Sequence, residues 1–133
     1  MKRDMDLIRD LLFYLENQTA AAAGKPDQIS IKGHTAREIE YHCLLLHQAG
    51  FITAEAIRSS SDPSRIVKLA MVFELTWSGH EFLETVRPAQ RWTKVKELAG
   101  KIGSHGAALL ANLATALTED EAKRRLSEML TGS

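Results

Sequence analysis

The chain has few cysteines, no excess of one charge and no long apolar run, and each of these features limits what it can be. Its 133 residues contain a single cysteine, Cys43, and 17 basic residues against 17 acidic ones. One cysteine allows no disulfide within the chain, which favours a reducing, cytoplasmic location. The charge balance gives no global electrostatic argument for a nucleic-acid partner. No apolar run approaches the roughly 18 residues of a membrane span, so we expect a soluble protein without a membrane partner.

Sequence motifs of the common enzyme classes are also missing. The chain has no Gly-x-Gly-x-x-Gly or phosphate loop, no His-Glu-x-x-His and no nucleophile elbow. Cys43 and His47 stand at i, i+4 on a predicted helix and could share a metal ion. A second pair of ligands is lacking, however, and Cys43 falls on the predicted core stripe of that helix. We therefore predict no enzymatic activity, no metal and no cofactor.

What the sequence does contain is a pattern of amphipathic helices. From Met5 to Glu16, apolar residues recur at i, i+3, i+4 and i+7 behind Asp4, a residue type that caps helices. Thr35-Ala-Arg-Glu38 has the sequence of a capping box, and Gly50 is a helix-ending residue. We therefore predict a second helix at Thr35–Ala49. Its predicted core stripe is Ala36, Ile39, Cys43, Leu46 and Gly50.

Extended segments are predicted on both sides of this second helix. Ile29-Ser-Ile31 alternates between Pro26 and Gly33, which indicates a short strand. The segments Phe51–Ile57 and Ile66–Leu75 are rich in β-branched and aromatic residues and flank a polar turn. They predict a β-hairpin.

The C-terminal part of the chain reads as helical. Ser78-Gly-His-Glu81 and Thr118-Glu-Asp-Glu121 each have the pattern of a capping box, so each is predicted to open a helix. Trp77 and Trp92 are interpreted as core or interface anchors. The stretch Ala107–Leu117 is apolar on more than one side and needs more cover than one neighbouring helix gives.

The order of these elements predicts a winged helix. We expect a mainly α fold with a small β-hairpin (α+β) over residues 1–87 and a C-terminal helical extension over residues 88–133. The extension is expected to form a homodimer, with packing against the winged helix as the alternative. Only Lys32-Gly-His34 separates the first predicted strand from the capped helix. The bracing helix of a full helix-turn-helix is therefore absent or reduced to a turn.

Two segments resemble known regulators. The segment Ile39-Glu-Tyr-His-Cys-Leu-Leu-Leu-His-Gln-Ala-Gly-Phe-Ile52 resembles the recognition helix and first wing strand of arsenic-repressor-like and MarR-like regulators. The segment Leu75-Thr-Trp-Ser-Gly-His-Glu-Phe-Leu83 resembles the step from a wing into a closing helix. Over most of residues 1–100 the chain resembles an uncharacterised bacterial and phage family, domain of unknown function 2513 (DUF2513). This resemblance implies a fold and a phage or bacterial origin, but no established activity.

Two functions follow from these observations, and the sequence leaves both open. The first is a DNA-binding transcriptional regulator whose second helix and wing contact double-stranded DNA. The residues predicted to make the contacts are Arg37, Tyr41, Leu44 and Gln48 on the helix, with Arg58, Arg65 and Lys68 on the wing. The second is a protein-interaction module, because Tyr41 with Leu44 and Leu45 could give the outward side of the helix an apolar patch. The acidic Glu38 and Glu40 oppose phosphate contact on the same helix.

Overall fold

A computed structural model describes residues 1–18, 24–102 and 107–131, with residue 102 and residues 107–111 described by their backbone. The chain forms two compact units, Met1–Leu83 and Glu84–Ser133. The elements are α1 (Met5–Glu16), α2 (Ala36–Gln48), β1 (Ile52–Arg58), β2 (Ile66–Leu75), α3 (Trp77–Val86), α4 (Ala89–Ile102) and α5 (Ala107–Leu130), with a 3-10 turn at Pro26–Gln28. The protein is therefore mainly α with a small antiparallel sheet, the α+β class that the sequence predicts.

Helix α1 forms as its sequence predicts. The Asp4 carboxylate accepts hydrogen bonds from the amides of Asp6 and Leu7 at 2.9 and 3.3 Å. These bonds satisfy two of the amides that the first turn of a helix leaves free. The apolar stripe is buried in the core: Met5, Leu7, Ile8, Leu11, Leu12 and Leu15. Each fully buried leucine or isoleucine contributes about 1.5–3 kcal/mol relative to an exposed one.

Helix α2 begins at the predicted capping box. The Thr35 hydroxyl accepts from the Glu38 amide at 3.2 Å, and the Glu38 carboxylate accepts from the Thr35 amide at 3.3 Å. The ring of His34 lies 3.1 Å from the other Glu38 oxygen, and these contacts, His34 first, lower the pKa of Glu38. The helix ends where predicted, because Gly50 has a φ of 78°. L residues with a side chain rarely adopt that conformation.

The core stripe of α2 differs from the prediction at both ends and in one central position. Its middle residues are buried as expected: Ile39, Cys43 and Leu46. Ala36 and Gly50 are exposed, because the first turn and the C-terminal end of the helix extend past the core. His42 is buried instead, with 1% of its surface exposed.

The buried His42 ring connects the first two helices. Its Nδ1 donates to the Glu38 carbonyl at 2.7 Å, and its Nε2 accepts from the Asp4 amide at 2.8 Å. Both ring nitrogens thus have partners, which is what allows a polar side chain to be buried at low cost.

The predicted strand at Ile29–Ile31 is wrong. Instead of a third strand, a single residue, Gly24, pairs with Val72 of β2 through two backbone hydrogen bonds of 3.1 and 2.8 Å. Pro26 then starts the 3-10 turn, and a proline has no N–H with which to continue a ladder. Ile29 is buried, so its apolar side chain serves the core without forming a strand.

The hairpin forms as predicted, with β2 at the expected residues and β1 displaced by one. The strands pair antiparallel from Ile52 with Leu75 to Arg58 with Ile66. Strand β2 has ten residues against seven in β1, so the register shifts at three points along the pair. Such irregularities increase the local twist of a hairpin.

Helix α3 begins two residues before the position that the sequence predicts. The capping residue is Thr76, whose hydroxyl accepts from the Gly79 amide at 3.1 Å, and not Ser78. The same hydroxyl donates to the Gly50 carbonyl at 2.5 Å, which ties the start of α3 to the end of α2. Trp77 is not a core anchor, because its side chain is 80% exposed on the first turn, and the alternative of an interface anchor stays a prediction.

In the unit Glu84–Ser133, α4 packs against α5. Trp92 is buried, as predicted. The predicted helix start at Thr118 is wrong, because α5 continues through it and its hydroxyl donates to the Ala114 carbonyl at 2.8 Å. Arg91 donates to the Glu121 carboxylate at 3.1 Å. The apolar side chains predicted at the start of α5, residues 107–111, lie outside the described side chains.

Candidate functional site

The unit Met1–Leu83 contains a groove of about 720 Å³ between the outward face of α2 and the hairpin. Four of the seven predicted site residues line it: Arg37, Tyr41 and Leu44 on α2, and Lys68 on β2. Met1 and the segment Lys25–Asp27 line it as well, so the groove is assembled from several separate parts of the chain.

One wall of the groove is a helix face with an apolar centre. Arg37, Glu40, Tyr41 and Leu44 stand at i, i+3, i+4 and i+7, so they share the face opposite the buried stripe. Tyr41 and Leu44 are half-buried. The Tyr41 ring meets the buried His42 ring edge to face, with centroids 5.5 Å apart. Tyr41 therefore contacts a buried side chain and also lines the groove.

The other wall is the hairpin, and it contributes apolar residues that the sequence analysis did not select. Ile57 is 41% exposed and Val67 is 53% exposed, and both line the groove. Buried Leu69 and half-buried Ala70 continue this wall. The sequence does contain one signal for Ile57. Side chains of a strand alternate between its two faces, so Ile57, five residues after the buried Ile52, is expected on the opposite face of the strand.

Charged side chains of both signs surround the apolar centre. Lys25, Arg37 and Lys68 line the groove together with Asp27 and Glu40. Within the described part of the chain, none of these five side chains takes part in a hydrogen bond or ion pair. They are therefore available to a ligand, with one more cation than carboxylates.

The remaining predicted site residues lie away from the groove. Gln48 is exposed at the end of α2. Arg58 and Arg65 flank the hairpin loop, where Arg58 donates to the Pro63 carbonyl at 3.2 Å. The Asp62 carboxylate in that loop accepts from the Ser64 amide and hydroxyl, and these bonds lower its pKa. The hairpin end thus contains an ionised carboxylate between its two arginines.

The Cys43 and His47 pair is not supported as a metal or nucleophilic site. Burial, and secondarily the charge of Glu40, raises the pKa of Cys43 to about 12. The thiol is thus held in its neutral form, which is a poor nucleophile. Among residues 1–18, 24–102 and 107–131, no group of three or more His, Cys, Asp or Glu is arranged to hold a metal ion.

The described helices also include none with the length and hydropathy to cross a membrane. The groove itself has an apolar centre and charged residues of both signs around it.

Comparisons with known proteins place the chain in a family. The family model DUF2513, described as a hypothetical protein, matches residues 2–105. An uncharacterised protein of Haemophilus influenzae is 38% identical over 97 residues, which cover 72% of this chain and 76% of that protein. No solved structure matches the chain at a significant level. The chain belongs to the DUF2513 family, as its sequence motifs predict.

Proposed function

We propose that this chain is a protein-interaction module built on a winged-helix plan, and that it binds a segment of a partner protein between α2 and the hairpin. The element order supports the plan: a helix, the Gly24 bridge, the 3-10 turn at Pro26–Gln28, α2 and the two hairpin strands. In this plan α2 occupies the recognition position. The short turn stands where a full helix-turn-helix has its bracing helix.

The observation that carries the proposal is the apolar lining on both walls of the groove. Tyr41 and Leu44 line it from α2, and Ile57 and Val67 line it from the hairpin. Exposed apolar surface of this kind, with polar groups around it, is typical of a site for a protein. A partner that covers this surface would stabilise the complex by about 25 cal/mol for each Å² of apolar area removed from water.

The DNA-binding regulator predicted from the sequence is the second candidate. The hairpin end favours it, since Arg58 and Arg65 could approach phosphates on either side of the loop. The groove opposes DNA binding. Its carboxylates, Asp27 and Glu40, lie beside its cations and would repel phosphates, and phosphate contacts supply much of the affinity for DNA. Asp62 weakens the positive potential of the hairpin end for the same reason. We therefore place protein binding first.

Site-specific photo-crosslinking in the cells that encode the protein tests the proposal. Benzoylphenylalanine in place of Val67 should yield a covalent adduct with a discrete protein. The same group in place of Glu55, which is exposed on β1 outside the groove, is the matched control and should yield none. Adducts to nucleic acid from Val67, or equal protein adducts from both positions, would overturn the proposal.

The homodimer expected from the sequence is proposed as well, through α5. The C-terminal part of this helix exposes an apolar stripe at i, i+3 and i+4: Leu126, Met129 and Leu130. Replacing all three with glutamate should convert a dimer into a monomer in light scattering. An unchanged dimer mass would exclude α5 as the interface.

A further inference from the structure

The outer edge of β2 is open next to the groove. Val72 pairs with Gly24 on the side of β2 that faces away from β1. From Val72 towards the hairpin loop, the described residues form no further bridge or backbone hydrogen bond on that side. Residues Val67–Met71 therefore pair with β1 on one side and, among the described residues, with no strand on the other.

The cause of the open edge is Pro26. A strand that continued the antiparallel Gly24 bridge would run alongside β2 towards Ile66. Lys25 is still extended, with φ and ψ of −73° and 142°, but Pro26 turns the chain into the 3-10 turn. Proline is typical of the point at which a strand leaves a sheet.

The open edge and the groove coincide. Four consecutive residues of β2, Val67–Ala70, line the groove together with Lys25 and Pro26. Side chains of one strand face alternate sides of a sheet, so four in succession indicate that the strand edge itself faces the groove. At about 3.3 Å per residue, this edge spans roughly 13 Å, the length of a four-residue strand.

We propose that the partner segment is an extended peptide that pairs antiparallel with the β2 edge, as a strand added beyond Gly24. This inference rests on the proposed function and specifies its binding mode. Main-chain hydrogen bonds would give affinity, and alternate peptide side chains would enter the groove towards Tyr41 and Leu44. These side chains are expected to be apolar.

The charges of the groove define the partner further. Lys68 lies on the open edge, and lysine at an edge disfavours pairing with a second copy of the same strand. Lys25 and Arg37 add to its positive charge, against Asp27 and Glu40. We therefore infer a partner strand from another protein that combines apolar residues with at least one acidic residue.

A phage-displayed library of random dodecapeptides provides the probe. Peptides are selected on the full chain and are retained when the variant Tyr41→Asp fails to bind them. The matched control is Gln48→Asp on the same helix, which should still bind them. Circular dichroism establishes that both variants are folded. We expect the retained peptides to alternate apolar residues and to include an acidic one.

An N-methyl scan of a retained peptide then tests the strand itself. Methylation removes one N–H at a time, and in a strand only every second N–H points to the neighbour. Affinity should fall at least about tenfold at alternate positions and change little between them. Those amides of Val67–Met71 that point away from β1 should also exchange more slowly with deuterium in the complex, while those that point to β1 should change little.

The outcomes separate the two proposals. Peptides that depend on Tyr41 but show no alternation in the scan, or leave β2 exchange unchanged, would overturn the added strand and leave groove binding in place. A library that yields no peptide dependent on Tyr41 would overturn both.

Discussion

A Cβ atom on Gly79 would lie 2.1 Å from the carbonyl oxygen of Phe51. The first turn of α3 is therefore pressed against the backbone that leads into β1. Two other contacts join the same segments, since the Thr76 amide donates to the Phe51 carbonyl at 2.9 Å and the rings of Phe51 and Phe82 stack at 4.9 Å. The two sequence motifs that end α2 and open α3 thus form one contact.

Gly79→Ala should destabilise the unit Met1–Leu83 by about 1–3 kcal/mol or more, because the added methyl group meets backbone that cannot move aside easily. Gly24→Ala is the matched control, since no atom of the described residues lies within 4 Å of a Cβ at that position. Urea denaturation of both variants provides the measurement. Equal stability of the two variants would contradict the close contact.

His42→Leu should lower the free energy of unfolding by about 1–3 kcal/mol, because it leaves the Asp4 amide without its acceptor. His42→Gln should recover part of the loss, since a side-chain carbonyl oxygen can accept from the same amide. Thermal denaturation of the two variants beside the wild type measures the difference. A leucine variant as stable as the wild type would show that the hydrogen bond between the helices contributes nothing net.

Glu38→Gln should destabilise the protein at neutral pH and matter less in acid. His34 and Thr35 hold the pKa of Glu38 below its ordinary value of 4.5. A group with a lowered pKa in the folded state stabilises the fold above the unfolded value, and this contribution disappears as the pH falls through the folded pKa. The difference in unfolding free energy between wild type and variant should therefore shrink between pH 7 and about pH 3. A constant difference would exclude ionised Glu38 from the cap.

Cys43 should resist thiol reagents in the folded protein. With a pKa of about 12, roughly one thiol in 10⁴ is ionised at pH 8. Ellman's reagent should therefore react at least about 1,000-fold more slowly than with a free thiol. Reaction in urea should restore the ordinary rate, and rapid reaction without urea would contradict the burial of this side chain.

The parts of the fold that the sequence predicts well depend on neighbouring residues. The capping box at Thr35 and Glu38 forms because the two side chains and two amides involved lie within one turn. The same pattern fails at Ser78 and Thr118. In the first case Thr76 already caps the helix, with a second bond to Gly50. In the second case the Thr118 hydroxyl donates to a carbonyl of its own continuous helix.

The groove could be predicted only in part. The outward face of α2 follows from helical periodicity, which identifies Arg37, Tyr41 and Leu44. The opposite wall depends on how the hairpin packs against α2, and no local pattern determines that distance. For this reason the sequence pattern identifies Val67 only as a strand residue. The open edge of β2 does not follow from the sequence either, because the pattern predicts a strand at Ile29–Ile31 that the structure lacks.

The most direct test of protein binding in the groove is amide NMR of the full chain, titrated separately with a selected peptide and with a DNA duplex. We predict that the peptide shifts the amides of Tyr41, Leu44 and Val67 to saturation. The duplex should leave these three amides unchanged at physiological salt. Saturable shifts with the duplex, centred on Arg58 and Arg65 and lost with added salt, would contradict the account and support the DNA-binding regulator.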